Sequence, residues 1–256
     1  MTLSSWFKLF LDADRPSLAR ESDAALHEVV RMGILRLPQG KTGVDLTADF
    51  LTRILETIHR VVCPNRDPAT RPLIVSITTP VTWRTAAVDS RETAASRAGF
   101  GQRTIDEVRL TTEPEAAMYH VVESLGNRFE VDEVVLVCDV GAGTTMDPAL
   151  LQNNLYYSNG NVRITKDDLQ CAFGPVVHEI TDLIELEIRL TQMHYPGVKI
   201  DHLVFVGGLI ESAYVRFVLG SRFGTRYKLA IPGQPRLAVT RGAALRETVD
   251  GRRQQA

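Results

Sequence analysis

The chain has 256 residues, of which 44% are hydrophobic and 23% are charged, a composition typical of folded globular proteins. Its formal net charge of -2, from 29 basic and 31 acidic residues, argues against a broad basic surface for nucleic acid or for an anionic membrane. The three cysteines, Cys63, Cys138 and Cys171, have no CxxC spacing, which argues against a disulfide framework and predicts buried thiols in a reducing compartment.

The N-terminal part of the chain predicts little regular sheet. Met1–Leu11 has an apolar run too short and too interrupted for a signal peptide or a membrane span, so we expect a cytoplasmic location. Trp6–Leu11 is a candidate strand and Ser22–Met32 a candidate helix. Leu46–Val62 predicts a helix with one buried face, and the proline-rich segment Cys63–Pro72 predicts a linker.

Strands and helices alternate in the middle of the chain. Leu73–Thr79 and Glu107–Thr111 predict strands, and Arg84–Ala98 predicts a helix that a glycine ends. Pro114 to Leu125 predicts a second helix, because proline is favoured in a first helical turn. Glu133–Asp139 contains an unbroken apolar run and predicts a strand that is covered on both faces.

The C-terminal part continues the same alternation. Asp167 to about Leu190 predicts a long amphipathic helix, and Leu203–Val206 predicts a strand. Two further helices are predicted at Ser212–Phe223 and Leu237–Thr248, followed by a frayed tail at Gly251–Ala256. The whole pattern predicts an α/β fold.

A glycine loop follows the apolar strand that ends at Asp139. Gly141 and Gly143 allow the backbone to approach a phosphate closely, and the hydroxyls of Thr144 and Thr145 add donors. Asp139 could hold a water molecule of a phosphate-bound Mg²⁺ ion, since Mg²⁺ keeps several waters. The competing interpretation is a tight glycine turn between two strands.

A second predicted strand is followed directly by two glycines, Gly207 and Gly208. A helix that starts there favours an anion or a flat ring at its N-terminus, although for this motif alone close packing of helix against strand is the better explanation. Ligands of open α/β sheets bind at the carboxyl ends of strands, so two such loops on one sheet predict a binding site.

Five motifs stand in a particular order along the chain. The order is similar to that of heat-shock protein 70 ATPase domains, which belong to the actin-like ATPase superfamily. The resemblance is closest to the divergent branch without the usual peptide-binding domain, whose Trp-Phe-Lys-Leu segment resembles Trp6–Leu9. The motifs are Ile77–Trp83, Thr112–Ala117, Asp139–Thr145, Val206–Gly208 and Ala238–Ala244.

The resemblance implies an actin-like ATPase (ribonuclease-H-like) fold with two lobes around a nucleotide cleft, and ATP or ADP with Mg²⁺ as cofactors. It implies catalytic roles for Glu113 and Asp139, with Asp139 also bound to Mg²⁺ through water. Two small-residue helices, which contain Ala116–Ala117 and Gly242–Ala243, would cross at the hinge between the lobes. The residues that would contact the nucleotide are Gly141, Gly143, Thr144, Thr145, Gly207 and Gly208.

Parts of the family pattern are missing from this sequence. No apolar strand followed by Gly-x-Asp-x-Gly-Thr-Thr is present, and Gly43-Val44-Asp45 is better explained by a helix that begins near Asp45. The family's catalytic lysine has no clear match. The stretch Met146–Arg163 is too short for the subdomain that covers the adenine, and Asp147-Pro148 interrupts the strand expected there.

We therefore expect an incomplete ATPase domain with weak or no hydrolysis and with protein clients or partners. Its expected parts are a helical and irregular first-lobe remnant (1–70), a first-lobe α/β segment (71–130), a second-lobe segment with both glycine loops (131–250) and a tail (251–256). Two alternatives are an active chaperone-type ATPase that a partner chain completes, and a sugar-kinase-like enzyme of the same superfamily.

Overall fold

The computed structural model describes residues 11, 37–62, 70, 72–81, 83–141, 156–158, 161–163 and 166–253. These residues fall into two compact units, which we call unit 1 (Met1–Glu113) and unit 2 (Pro114–Ala256) and describe separately. The predicted helix at Ser22–Met32, the predicted strand at Trp6–Leu11 except for its last residue, most of the predicted linker and the Asp147-Pro148 interruption lie outside the described residues.

Unit 1 begins, within its described part, with a capped helix. Helix α1 spans Gly43–Thr57 and continues into a π-turn at Ile58–Val62. The Thr42 hydroxyl accepts a hydrogen bond from the Asp45 N–H group, while the Asp45 carboxylate accepts one from the Thr42 N–H group at 2.8 Å. The pKa of Asp45 lies below its usual range, chiefly because its carboxylate accepts a hydrogen bond from the Thr42 hydroxyl and also one from the Thr42 N–H group. A helix that starts near Asp45 is thus confirmed, although Thr42 is the capping residue and Asp45 lies in the first turn.

Replacing Thr42 with alanine tests this capping arrangement. We expect unit 1 to lose about 1 kcal/mol of stability, because two N–H groups of the first turn lose their partner or its positioning. Urea denaturation followed by circular dichroism measures the change. Thr57→Ala at the other end of α1 is the matched control, since its hydroxyl bonds only the Arg53 carbonyl and is exposed. Equal losses in the two variants would contradict the capping role.

The rest of unit 1 is a β-α-β arrangement. Strands β1 (Ile74–Thr79) and β2 (Glu107–Thr112) pair in parallel, with Thr79 opposite Thr112. Helix α2 (Thr85–Arg97) connects them and ends before Gly99, whose φ of +101° favours glycine. The core of this unit contains Ile77, Ala95, Ala98 and Phe100. The predicted strands and the predicted helix are confirmed.

Unit 2 is built on a parallel sheet. Strands β3 (Val134–Asp139), β6 (Ile200–Val206) and β7 (Lys228–Ala230) lie in the order β3-β6-β7. A short antiparallel pair, β4 (Tyr156–Ser158) with β5 (Asn161–Arg163), stands outside this sheet. The helices of this part of the chain are α3 (Glu113–Leu125), α4 (Lys166–His194), α5 (Ala213–Phe223) and α6 (Ala238–Arg253).

Helices cover both faces of the central strand β6. Leu203 and Phe205 point into a core shared with α4 and α5, and Val204 and Val206 point into one shared with α3 and α6. This alternation follows from the two-residue period of a strand. Complete burial of a side chain such as Phe205 stabilises the fold by about 1.5–3 kcal/mol. The predicted α/β class is confirmed.

Three sequence predictions need correction. The fully buried strand of the described sheet is β6, whereas β3 lies at its edge and is only half-buried. Helix α6 continues to Arg253, so part of the predicted tail is helical. Cys171 is exposed, against the expectation of buried thiols, because it lies on the outer face of α4. Among the described helices, none combines the length and the apolar character needed to cross a membrane.

Candidate functional site

The two glycine loops meet at one edge of the sheet in unit 2. Because β3 and β6 are parallel neighbours, Asp139 stands opposite Val206 and both strands end together. The Val140 N–H group donates to the Val206 carbonyl at 2.8 Å, and the Leu209 N–H group donates to the Val140 carbonyl at 3.0 Å. The structure therefore joins Asp139–Gly141 and Val206–Leu209 by hydrogen bonds into two adjacent turns, which we call the turn pair. Loops at the carboxyl ends of parallel strands are expected to meet in this way.

Gly207 is the tightest position in this turn pair. Its φ is +96°, and its N–H group donates to the Pro235 carbonyl at 2.9 Å. A Cβ atom at this position would lie 2.5 Å from Asp139 Oδ1 and 2.5 Å from the Val140 carbonyl oxygen. Only glycine allows the second loop to pack this closely against the Asp139 side chain.

Gly141 and Gly208 differ from Gly207. Neither has a positive φ, and a Cβ atom at either position would have no described atom within 4 Å. Within the described part of the chain their N–H groups have no assigned acceptor, whereas the N–H groups of Val140 and Gly207 are used inside the turn pair. The N–H groups of Gly141 and Gly208 are thus not among the hydrogen bonds that hold the turn pair together.

A cavity of about 280 Å³ opens beside Asp139, between β3 and α4. Ile180, Leu183 and Ile184 form its apolar wall, and Gly141 and Glu187 border it. Asp139 is exposed at the end of its strand, so two carboxylates face this space. A phosphate would need a cation to approach them. The volume lies just below the range of about 300–1,000 Å³ that is usual for drug-sized ligands.

Cys138 precedes Asp139 and lines the same cavity. Burial raises the pKa of its thiol to about 12, and the negative charge of Glu187 adds to the effect. A nucleophilic cysteine needs a thiolate, which a low pKa favours. Cys138 is therefore a packing residue of the cavity and not a nucleophile near neutral pH.

Glu113 lies in unit 1, directly after β2, at the first position of α3. It is half-buried, and Arg91 of α2 lies within electrostatic reach of its carboxylate.

Gly143, Thr144 and Thr145 lie outside the described residues. Of the predicted site residues, the structure brings together Asp139, Gly141, Gly207 and Gly208.

The two small-residue helices do cross, within unit 2. A Cβ atom at Gly242 of α6 would lie 1.6 Å from the carbonyl oxygen of Ala116 in α3, so the two backbones are in direct contact. Ala116, Ala117 and Ala243 are all buried. Ala238 at the start of α6 packs in the same core as Ala117. Small residues at these positions are required by packing alone.

Sequence reasoning missed two features of these regions. The carbonyl of Pro235, which fixes the Gly207 loop, has no signal in the sequence because any residue supplies a carbonyl. Arg91 is one of several arginines in or near α2, and only the structure shows that it lies beside Glu113.

In the described part of the chain, no group of three or more histidine, cysteine, aspartate or glutamate side chains could hold a metal ion. Mg²⁺ with bound phosphate needs only one or two carboxylates and water, so Asp139 could suffice for it. A scan against protein-family models and a search of curated proteins gave no match for this chain. The resemblance to heat-shock protein 70 therefore rests on the five ordered motifs.

Proposed function

We propose that this chain is a degenerate ATPase domain of the heat-shock protein 70 type, which binds MgADP or MgATP and hydrolyses ATP slowly or not at all. The phosphates would lie at the turn pair formed by Asp139, Gly141, Gly207 and Gly208. The actin-like ATPase fold is part of this proposal.

The contact between Gly207 and Asp139 carries the proposal. Two loops that are distant in sequence pack so closely that a single Cβ atom would overlap both the Asp139 carboxylate and the Val140 backbone. Such a contact fixes the carboxylate against the Gly207 loop, and the N–H groups of the neighbouring Gly141 and Gly208 take no part in the bonds that hold the turn pair. Pre-organised donors next to one carboxylate suit a phosphate that carries Mg²⁺.

The charges at the cavity predict a requirement for Mg²⁺. Asp139 and Glu187 both border the space, so free ADP would meet two negative side chains. Mg²⁺ bound to the phosphates would reverse the sign of this interaction at Asp139. Asp139 would hold the ion through a water molecule, while the N–H groups of Gly141 and Gly208 would donate to phosphate oxygens.

Weak hydrolysis follows from the elements that this sequence does not contain. Phosphoryl transfer depends on positioning and on electrostatic stabilisation of the transferred group. Removal of a single stabilising group from such a site typically lowers the rate by about 10²–10³-fold. Without a first phosphate hairpin and the catalytic lysine, the chain taken alone would bind a nucleotide without efficient turnover.

Calorimetry and an ATPase assay test the proposal together. We expect saturable MgADP binding that weakens at least about tenfold in Asp139→Ala, which corresponds to about 1.4 kcal/mol. Asp182→Ala is the matched control, because Asp182 is an exposed carboxylate on α4 that does not line the cavity. ATP hydrolysis by the wild type should equal that of Asp139→Ala.

Two outcomes would oppose the proposal. Unchanged MgADP affinity in Asp139→Ala would show that the nucleotide does not bind at the turn pair. Measurable ATP hydrolysis that Asp139→Ala abolishes would instead identify an active ATPase.

A further inference from the structure

Helix α4 carries a second apolar face, on the side away from the core. Val177, Ile184 and Ile188 on its inner face are buried in the core of unit 2. The outer face has four large apolar side chains spaced three and four residues apart, so they fall on one side of the helix. We call these four residues the outer stripe: Leu183, Leu186, Leu190 and Met193.

The outer stripe is open to solvent. Leu183, Leu186 and Met193 are 60%, 42% and 66% exposed, and Leu190 is half-buried. A single exposed leucine is common on a protein surface, whereas a continuous row of apolar side chains marks a contact surface. The alternation of three and four residues is that of helices that pack along one another. The stripe therefore suits a second helix that lies along α4.

Two opposite charges, Asp182 and Arg189, flank one side of the outer stripe. They are seven residues apart, which is about 10 Å along the helix axis, so they do not pair with each other. Both side chains are exposed, and within the described part of the chain neither forms a salt bridge. Arg189 lies near Glu185, but that carboxylate is already bonded to Arg226.

A second copy of α4, laid antiparallel, satisfies both of these charges. A two-fold axis between the helices brings Asp182 opposite Arg189 of the second copy, and symmetry repeats the pair in the other direction. In the same register Leu183 lies against Leu186 of the second copy. A parallel arrangement would instead place Asp182 beside Glu187 of the second copy, where like charges repel. The charge pattern thus favours an antiparallel copy of this chain.

We propose that the outer stripe of α4 is a homodimer surface, which packs antiparallel against the same stripe of a second copy with reciprocal Asp182–Arg189 ion pairs. Glu179 interrupts the apolar row towards the start of α4, so the contact area is small and the dimer is weak. We expect a dissociation constant on the order of 10–100 µM. Asp182 and Arg189 do not line the cavity beside Asp139, so the dimer does not depend on nucleotide binding.

Sedimentation equilibrium of the full chain from about 5 to 500 µM tests the dimer, since this range spans the expected dissociation constant. We expect a monomer–dimer equilibrium in the wild type. Association should be at least about tenfold weaker in Asp182→Arg and in Arg189→Asp, because each variant brings like charges together. The double variant Asp182→Arg/Arg189→Asp restores both ion pairs with reversed polarity and should regain the wild-type affinity to within about threefold.

Two further variants separate this contact from general surface effects. Leu186→Lys should abolish association, because it places a charge in the apolar contact. Asp89→Arg is the matched control, since it makes the same charge reversal at an exposed position of α2 and should associate like the wild type. Circular dichroism checks the folding of each variant, and if a charge variant does not fold, Leu186→Lys decides.

Three results would overturn the homodimer surface. The first is a wild type that stays monomeric over the whole concentration range. The second is a folded double variant that associates no better than the single charge variants. The third is wild-type association in folded Leu186→Lys.

Discussion

Replacement of Gly207 by alanine is expected to destabilise unit 2 by about 2–6 kcal/mol and to abolish nucleotide binding. The added methyl group would overlap Asp139 Oδ1 and the Val140 carbonyl, both at 2.5 Å. Moving the Val140 backbone and the Asp139 side chain costs about 1–3 kcal/mol, as in an overpacked core. The φ of +96° adds strain of about 1–3 kcal/mol for a residue with a side chain. The sum is a large part of the stability of a typical domain.

Gly208→Ala provides a control one residue away. A Cβ atom there has no described atom within 4 Å and no unfavourable φ, so the change in stability should stay within about 0.5 kcal/mol. Urea denaturation followed at 222 nm compares the two variants. Similar losses in both variants would contradict the described turn pair.

Replacement of Gly242 by alanine is expected to cost about 3 kcal/mol or more. Its methyl group would lie 1.6 Å from the Ala116 carbonyl oxygen, and the neighbouring obstacle is backbone, which cannot rotate away. Helices α3 and α6 would have to separate, which would open the core that contains Ala117 and Ala238. The higher helix propensity of alanine offsets only about 1 kcal/mol of this loss.

Gly220→Ala in α5 is the matched change in an open helix. Gly220 is exposed and a Cβ atom there meets no described atom within 4 Å, so alanine should stabilise unit 2 by about 0.5–1 kcal/mol. Thermal and urea denaturation should therefore give effects of opposite sign for the two glycine variants. A stabilising or neutral Gly242→Ala would show that the helices do not cross in backbone contact.

The sequence predicts most of the secondary structure of the described regions because its local signals are strong. β-branched runs that end at Pro80 or at glycine give β1 and β6, and the apolar period gives α4. The burial of β6 compared with β3 was not predictable. Both strands have apolar runs, and their burial depends on which strand lies between two neighbours in the sheet.

The candidate site was predictable only as a set of loops. Gly141, Gly207 and Gly208 look equivalent in the sequence, and only Gly207 is required by the fold. This requirement arises from Val140 and Pro235, which distant parts of the chain bring to it. Similarly, no sequence signal separates Arg91 from Arg97, since their difference lies in the neighbours Trp83 and Glu113.

The central claim is that the turn pair at Asp139 and Gly207 binds the phosphates of a nucleotide together with Mg²⁺. Titration of MgADP into the full chain, repeated in EDTA and with Asp139→Ala, tests it most directly. The account predicts one saturable site in the wild type, and at least about tenfold weaker binding both without Mg²⁺ and in the variant. Binding of equal affinity under all three conditions, or no binding to the folded wild type, would contradict it.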